Sequence, residues 1–127
     1  MLATDIAEYL EDQSIGTVGT DIFVGQMPDT TSNAIAIYEY AGTPPECVGH
    51  VENPRLVVRV RNTIYANARS KARDILYALH TKADSTIESH SYLYIRAVGS
   101  INYLGRDAEN RVLFSIDFLA SKIMESA

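Results

Sequence analysis

Apolar and polar positions alternate along this chain with two different periods. Leu2, Ile6, Tyr9 and Leu10 recur at helical spacing, with Asp5, Glu8, Glu11 and Asp12 on the other side, which predicts a short first helix. Acidic residues at its C-terminal end oppose the helix dipole, and Ser14-Ile15-Gly16 is the predicted stop. Asp21-Ile22-Phe23-Val24-Gly25 reads as a short strand, and Met27 to Asn33 as a turn rich in Pro, Asp, Ser and Asn. Residues 34–40, AIAIYEY, form a β-rich run that is apolar on both faces until Glu39, which places it inside a sheet. Residues 41–54 hold three prolines and two glycines without a helical period and read as the longest loop.

Beyond that loop, Leu56, Val58 and Val60 alternate with Val57, Arg59 and Arg61, the pattern of a half-buried strand with a basic outer edge. A helix is predicted over roughly 64–82, capped by Asn62 or Thr63. Its apolar stripe is Ala68, Ala72, Ile75, Leu76 and Leu79, its exposed face carries Arg69, Lys71, Arg73 and Asp74, and Lys82 suits its C-terminal dipole. Strands follow at about 91–99 and 111–120, with residues 105–110 as the hairpin loop between them. The expected fold is α+β: a mostly antiparallel, or mixed, sheet of about five strands with two helices packed on it, in one domain over residues 1–127.

Length and composition agree with this picture. A chain of 127 residues can bury a core, and 46% hydrophobic with 21% charged residues is the balance of a globular protein. No apolar run reaches the roughly 20 residues needed to cross a bilayer, so no membrane partner is expected. The opening MLATDIAEYLEDQ is acidic and lacks the basic and apolar regions of a secretory signal. With the single cysteine, Cys47, that points to a cytosolic product.

Charge is unevenly spread. Residues 1–54 carry nine acidic residues and no Lys or Arg, whereas all eleven basic residues lie from Arg55 to Lys122, against seven acidic ones. The two parts therefore carry −9 and +4, which sum to the net −5. If the fold keeps them apart, opposite faces of two copies attract, and a head-to-tail contact of that kind can close into a ring. If the fold interleaves them, the polarity disappears.

Catalytic chemistry is hard to find. Cys47-x-x-His50 has metal-ligand spacing, but zinc needs three or four ligands and His80 and His90 are distant in sequence. As a nucleophile and base the same pair lacks an orienting carboxylate and an oxyanion hole. The seven glycines are scattered, with no phosphate-binding loop. Asp117 reads as an outward-facing strand residue, His80 as a helix-end residue and His90 as a strand-entry residue. No enzyme activity, cofactor or metal is expected. Six of the eleven basic residues fall between Arg55 and Arg73, a cluster that could bind phosphates but has no interleaved aromatic platform. Tyr38 and Tyr40, and likewise Tyr92 and Tyr94, are expected to share a strand face.

Three ordered segments carry a resemblance. The first is Asp21 to Asp29 followed by Asn33 to Gly42. The second is Glu52-Asn53-Pro54-Arg55-Leu56-Val57-Val58-Arg59-Val60-Arg61 leading to Tyr65-Ala66 and Ala68. The third runs from Tyr94-Ile95-Arg96-Ala97 through Leu104-Gly105-Arg106-Asp107 to Phe114-Ser115-Ile116-Asp117-Phe118. Together they resemble the minor capsid or tail-terminator-like proteins of the head–tail joining modules of long-tailed phages and prophages. One departure is that Arg111 stands where a glycine is expected after Asn110.

The resemblance implies a ring subunit, commonly in six copies, capping the tail tube of a virion after assembly in the host cytoplasm. Its partners would be further copies of itself, the tail-tube protein and a head-completion or stopper protein, with DNA passing through the lumen without specific binding. It leaves terminator, head-completion and stopper roles open. Arg59, Arg61, Glu46, His50 and Glu52 are the candidate subunit-interface residues, and Asp21, Glu39 and Glu46 the candidate acidic lumen. The alternative is a nucleic-acid-binding phage accessory protein using the Arg55–Arg73 cluster.

Overall fold

Buried side chains of β-strands and two helices meet on one face of a twisted sheet. The structure, a computed structural model, describes residues 2–43, 51–80, 82–87 and 90–123. The elements are α1 (Leu2–Asp12), β1 (Ile22–Val24), β2 (Ala34–Thr43), β3 (Val51–Asn62), α2 (Tyr65–Leu79), β4 (Lys82–Ile87), β5 (His90–Ala97), β6 (Asn102–Arg106) and β7 (Val112–Ile123). Among the described residues the strands form one seven-stranded sheet ordered β1-β2-β3-β7-β5-β4, with β6 also on β7. The β1–β2 pair is parallel and the others antiparallel. The α+β class and the two-helix layer are thus as the sequence predicts, with two strands more than expected.

The strand β7 organises the sheet. One edge pairs with β3 along its length. The other is shared, with β6 along Val112–Ser115 and β5 along Phe118–Lys122. Where the two meet, the Val98 N–H donates to the Asp117 carbonyl at 2.9 Å. The inner face of β7 carries Val112, Phe114, Ile116, Phe118 and Ala120, and that of β3 carries Leu56, Val58 and Val60, all buried. Against them lie Ala68, Ala72, Ile75 and Leu79 of α2 and Leu2, Ile6 and Leu10 of α1. Each fully buried side chain of Leu or Ile size contributes about 1.5–3 kcal/mol, so the alternating pattern alone holds the register.

The first helix stops where Ser14-Ile15-Gly16 predicts, whereas both ends of α2 differ from the sequence reading. The end of α1 is a Schellman motif: Ile15 N–H donates to the Leu10 carbonyl at 3.0 Å and Ser14 N–H to that of Glu11 at 2.9 Å. Ser14 takes the left-handed conformation at φ 61°. Two residues on, Gly16 lies so close to the following turn that a Cβ would sit 2.8 Å from Asp21 Oδ1. At the start of α2, Asn62 accepts from the Ile64 N–H at 3.0 Å, but the N-cap itself, Ile64, makes no side-chain cap bond. The helix stops at Leu79, so Lys82 belongs to β4 and not to the helix end.

The predicted 41–54 loop is shorter than its composition suggests. Strand β2 continues to Thr43 and β3 starts at Val51, so Pro54 lies inside a strand. The β3–β7 ladder passes from Glu52 to Arg55 without partners for Asn53 and Pro54, and the β2–β3 ladder shifts register between Tyr40 and Thr43. Proline has no N–H to donate to a ladder, and the irregularity absorbs it.

Candidate assembly surfaces

Arg59 and Arg61 share the outer face of β3, yet their environments differ. Arg59 is exposed, its guanidinium 5.7 Å from the centre of the Tyr38 ring on the neighbouring strand. Arg61 is 4% exposed and donates to the backbone carbonyls of Pro28 and Thr31. It therefore holds the 28–31 turn down on the outer face. Arg111, also buried, joins it there, donating to the Asp29 carbonyl at 2.7 Å and from Nε to Asp107 Oδ2 at 2.8 Å. Burial, and then the neighbouring Arg111 charge, push the Arg61 guanidinium below its ordinary pKa. The Arg111 backbone N–H on Asp107, followed by its guanidinium and the Glu109 N–H, hold the Asp107 carboxyl below the usual carboxylate range. The unexpected arginine at the hairpin tip is thus a structural clasp between two loops.

Glu46, Cys47 and His50 lie outside the described residues. Glu52 pairs through its backbone with Lys122 of β7. Asp21 and Glu39, the lumen candidates, are not brought together. Asp21 precedes β1, whose Ile22 pairs with Ile35, and Glu39 lies four residues further along β2, ~13 Å at strand spacing. Both carboxylates have local work. Asp21 Oδ1 accepts from Thr17 N–H at 2.6 Å, and Glu39 Oε1 accepts from Ala3 N–H at 2.7 Å in the first turn of α1.

The six basic residues between Arg55 and Arg73 do not form one patch. Arg55, Arg59 and Arg61 lie on the outer face of the sheet, whereas α2 covers the inner face. Arg55 is paired with Asp117 at 2.8 Å, and Lys71 Nζ donates to the Ile15 carbonyl at 2.7 Å, tying α2 to the end of α1. Arg69 and Arg73 remain exposed on α2.

In the helix layer the acidic and basic parts of the chain stay apart. The outer side of α1 presents Glu8, Glu11 and Asp12, and that of α2 presents Arg69 and Arg73, with Asp74 the one exposed carboxylate there. Beside the start of α2, Tyr65, Tyr103 of β6 and Phe114 of β7 form an aromatic triad with ring centres 5.3–5.6 Å apart. Tyr65 and Tyr103 are about half exposed, next to exposed Ile64. Sequence reasoning missed this group, because Tyr103 lies on an unpredicted strand 38 positions from Tyr65 in the chain. The tyrosines it did single out divide. Tyr38 and Tyr40 share the outer face, but a bulge between Tyr92 and Tyr94 turns Tyr92 into the core and leaves Tyr94 outside, beside Arg96.

No group of three His, Cys, Asp or Glu among the described residues is placed to hold a metal. A family model described as bacteriophage tail terminator protein matches residues 9–122. The chain belongs to the bacteriophage tail terminator family. Members of this family are structural phage proteins, so this tail terminator homologue is a structural protein of the phage tail. Its fold is similar to that of a chain in a solved structure titled "Virion of native gene transfer agent (GTA) particle", with a TM-score of 0.71 at 14% identity. That similarity covers 95% of this chain and 93% of the other. No curated protein matches this tail terminator homologue in sequence.

Proposed function

We propose that the chain is a ring-forming subunit at the head–tail joint, which ends growth of the tail tube and helps attach the tail to the head. The observation that carries this reading is the tail terminator family match across residues 9–122. The likeness to a chain of a virion particle supports a place in the virion, after assembly in the host cytoplasm. In this role the subunit acts through shape and charge, with no catalytic step. Its partners are further copies of itself, in a ring of six, the tail-tube protein and a head-completion or stopper protein.

The same reading makes Arg59 an interface residue, with Glu46, His50 and Glu52 from the adjoining segment. It gives Asp21, Glu39 and Glu46 to a negatively charged passage that repels DNA phosphates. Normal DNA delivery by a phage carrying all three as amides would count against that passage.

Deletion of the gene in its phage or prophage, followed by negative-stain microscopy of the lysate, tests the main proposal. Overlong tails are expected. Tails of normal length beside unattached full heads would instead assign the chain to head completion and overturn a terminator role.

A further inference from the structure

We propose that the strip formed by Ile64, Tyr65, Tyr103, Arg69 and Arg73 receives the acidic outer side of α1 from a second copy of this chain. The inference rests on the ring reading above and names the two surfaces that meet.

Ile64, Tyr65 and Tyr103 are 55%, 49% and 48% exposed, a degree of apolar exposure that partner binding would remove. Tyr65 packs edge-on against Tyr103 and buried Phe114, and Tyr103 lies tilted against Phe114, which holds both tyrosine rings in place, so little side-chain freedom is lost on docking. Tyr65 also lines a shallow groove with Arg69 and Arg73, which makes the aromatic and basic parts one continuous surface. No carboxylate of the described residues pairs with either guanidinium.

The complementary surface has matching spacing. Glu8 and Asp12 are four residues apart on α1, as Arg69 and Arg73 are on α2, ~6 Å along a helix in both cases. Glu11 lies between them and is anchored at the β1 side, accepting from Val18 N–H at 3.2 Å.

One copy cannot make this contact with itself. Lys71, which reaches the end of α1, is two residues from both Arg69 and Arg73, and a rotation of about 200° turns those two away from α1. Across the sheet, the row Ile22–Ile35–Val60–Phe114–Tyr103 puts the β1 side and the β6 edge four strand spacings apart, ~19 Å. Two different surfaces of one subunit give a heterologous contact, the kind that propagates from copy to copy and closes a ring.

The test uses two charge-reversed forms of the full chain, Arg69→Glu/Arg73→Glu and Glu8→Lys/Asp12→Lys. Circular dichroism confirms that each is folded, and native mass spectrometry reads assembly in solution and on isolated tails. Each variant alone is expected to need about tenfold or more protein to assemble than the wild type. An equimolar mixture is expected to recover assembly with the two masses alternating, because every junction then pairs opposite charges. Wild-type assembly by either variant alone, or no recovery on mixing, overturns this contact and leaves the ring reading standing. A wild-type chain that stays monomeric both in solution and on tails overturns both. Salt-dependent binding to a DNA duplex that disappears in Arg69→Glu/Arg73→Glu, with rings intact, would assign the strip to nucleic acid instead.

Discussion

The Tyr92 hydroxyl donates to Asp5 Oδ2 at 2.8 Å, joining α1 to β5 across 87 positions of sequence, with both side chains buried. A buried carboxylate in a helix is costly unless hydrogen bonds satisfy it. Tyr92→Phe keeps the ring and removes the hydroxyl, so it should lower stability by about 1–3 kcal/mol, read as a reduced urea midpoint with an unchanged m-value. An unchanged midpoint would show that this bond adds nothing net.

Arg61 predicts a larger effect from a residue that sequence places on the surface. Arg61→Ala strips the Pro28 and Thr31 carbonyls of their donor and uncovers the outer face beneath the turn. A loss of about 2–4 kcal/mol is expected, with faster proteolysis between residues 28 and 33. Arg59→Ala, which loses only an exposed contact with Tyr38, should stay within about 0.5 kcal/mol of wild type.

The Asp107 clasp gives a pH dependence with a definite sign. The folded pKa of Asp107 lies below its unfolded value, so between the two the native state binds fewer protons and stability rises with pH. The contribution is present above the unfolded value, near ~4, and is lost as pH falls through the folded one. Urea midpoints measured from about pH 5 downward should therefore fall more steeply for wild type than for Asp107→Asn.

The turn after α1 predicts opposite outcomes two residues apart. Ser14→Gly relieves a left-handed non-glycine residue and should raise stability by about 0.5–1 kcal/mol. Gly16→Ala forces a Cβ against Asp21 and Ile22 and should lower the thermal midpoint. Calorimetry of both variants checks the pair, and a stabilising Gly16→Ala would contradict the close approach.

Local pattern carried much of the fold. The alternation of Leu56, Val58 and Val60, the stripe from Ala68 to Leu79 and the double-sided run Ala34–Ile37 each report burial directly, because side-chain period is set by backbone geometry. Strands β4, KADSTI, and β6, NYLGR, escaped notice because neither has a clean apolar alternation and each is held by its neighbour's hydrogen bonds. Pattern also misplaced Tyr92, since a bulge inverts the parity on which the reading depends.

By itself, the sequence determined the α+β class, the inner face of β3 and β7, and the separation of charge along the chain. Only the tertiary structure decided which charges remain available. Arg61 and Arg111 are consumed in holding loops that arrive from far along the chain. Arg69 and Arg73 stay free on α2, away from the acidic side of α1, and Tyr103 comes beside Tyr65 through a strand pairing. Periodicity is a property of neighbouring residues, whereas the partner of a long polar side chain is set by whichever distant segment the fold brings within a few ångströms.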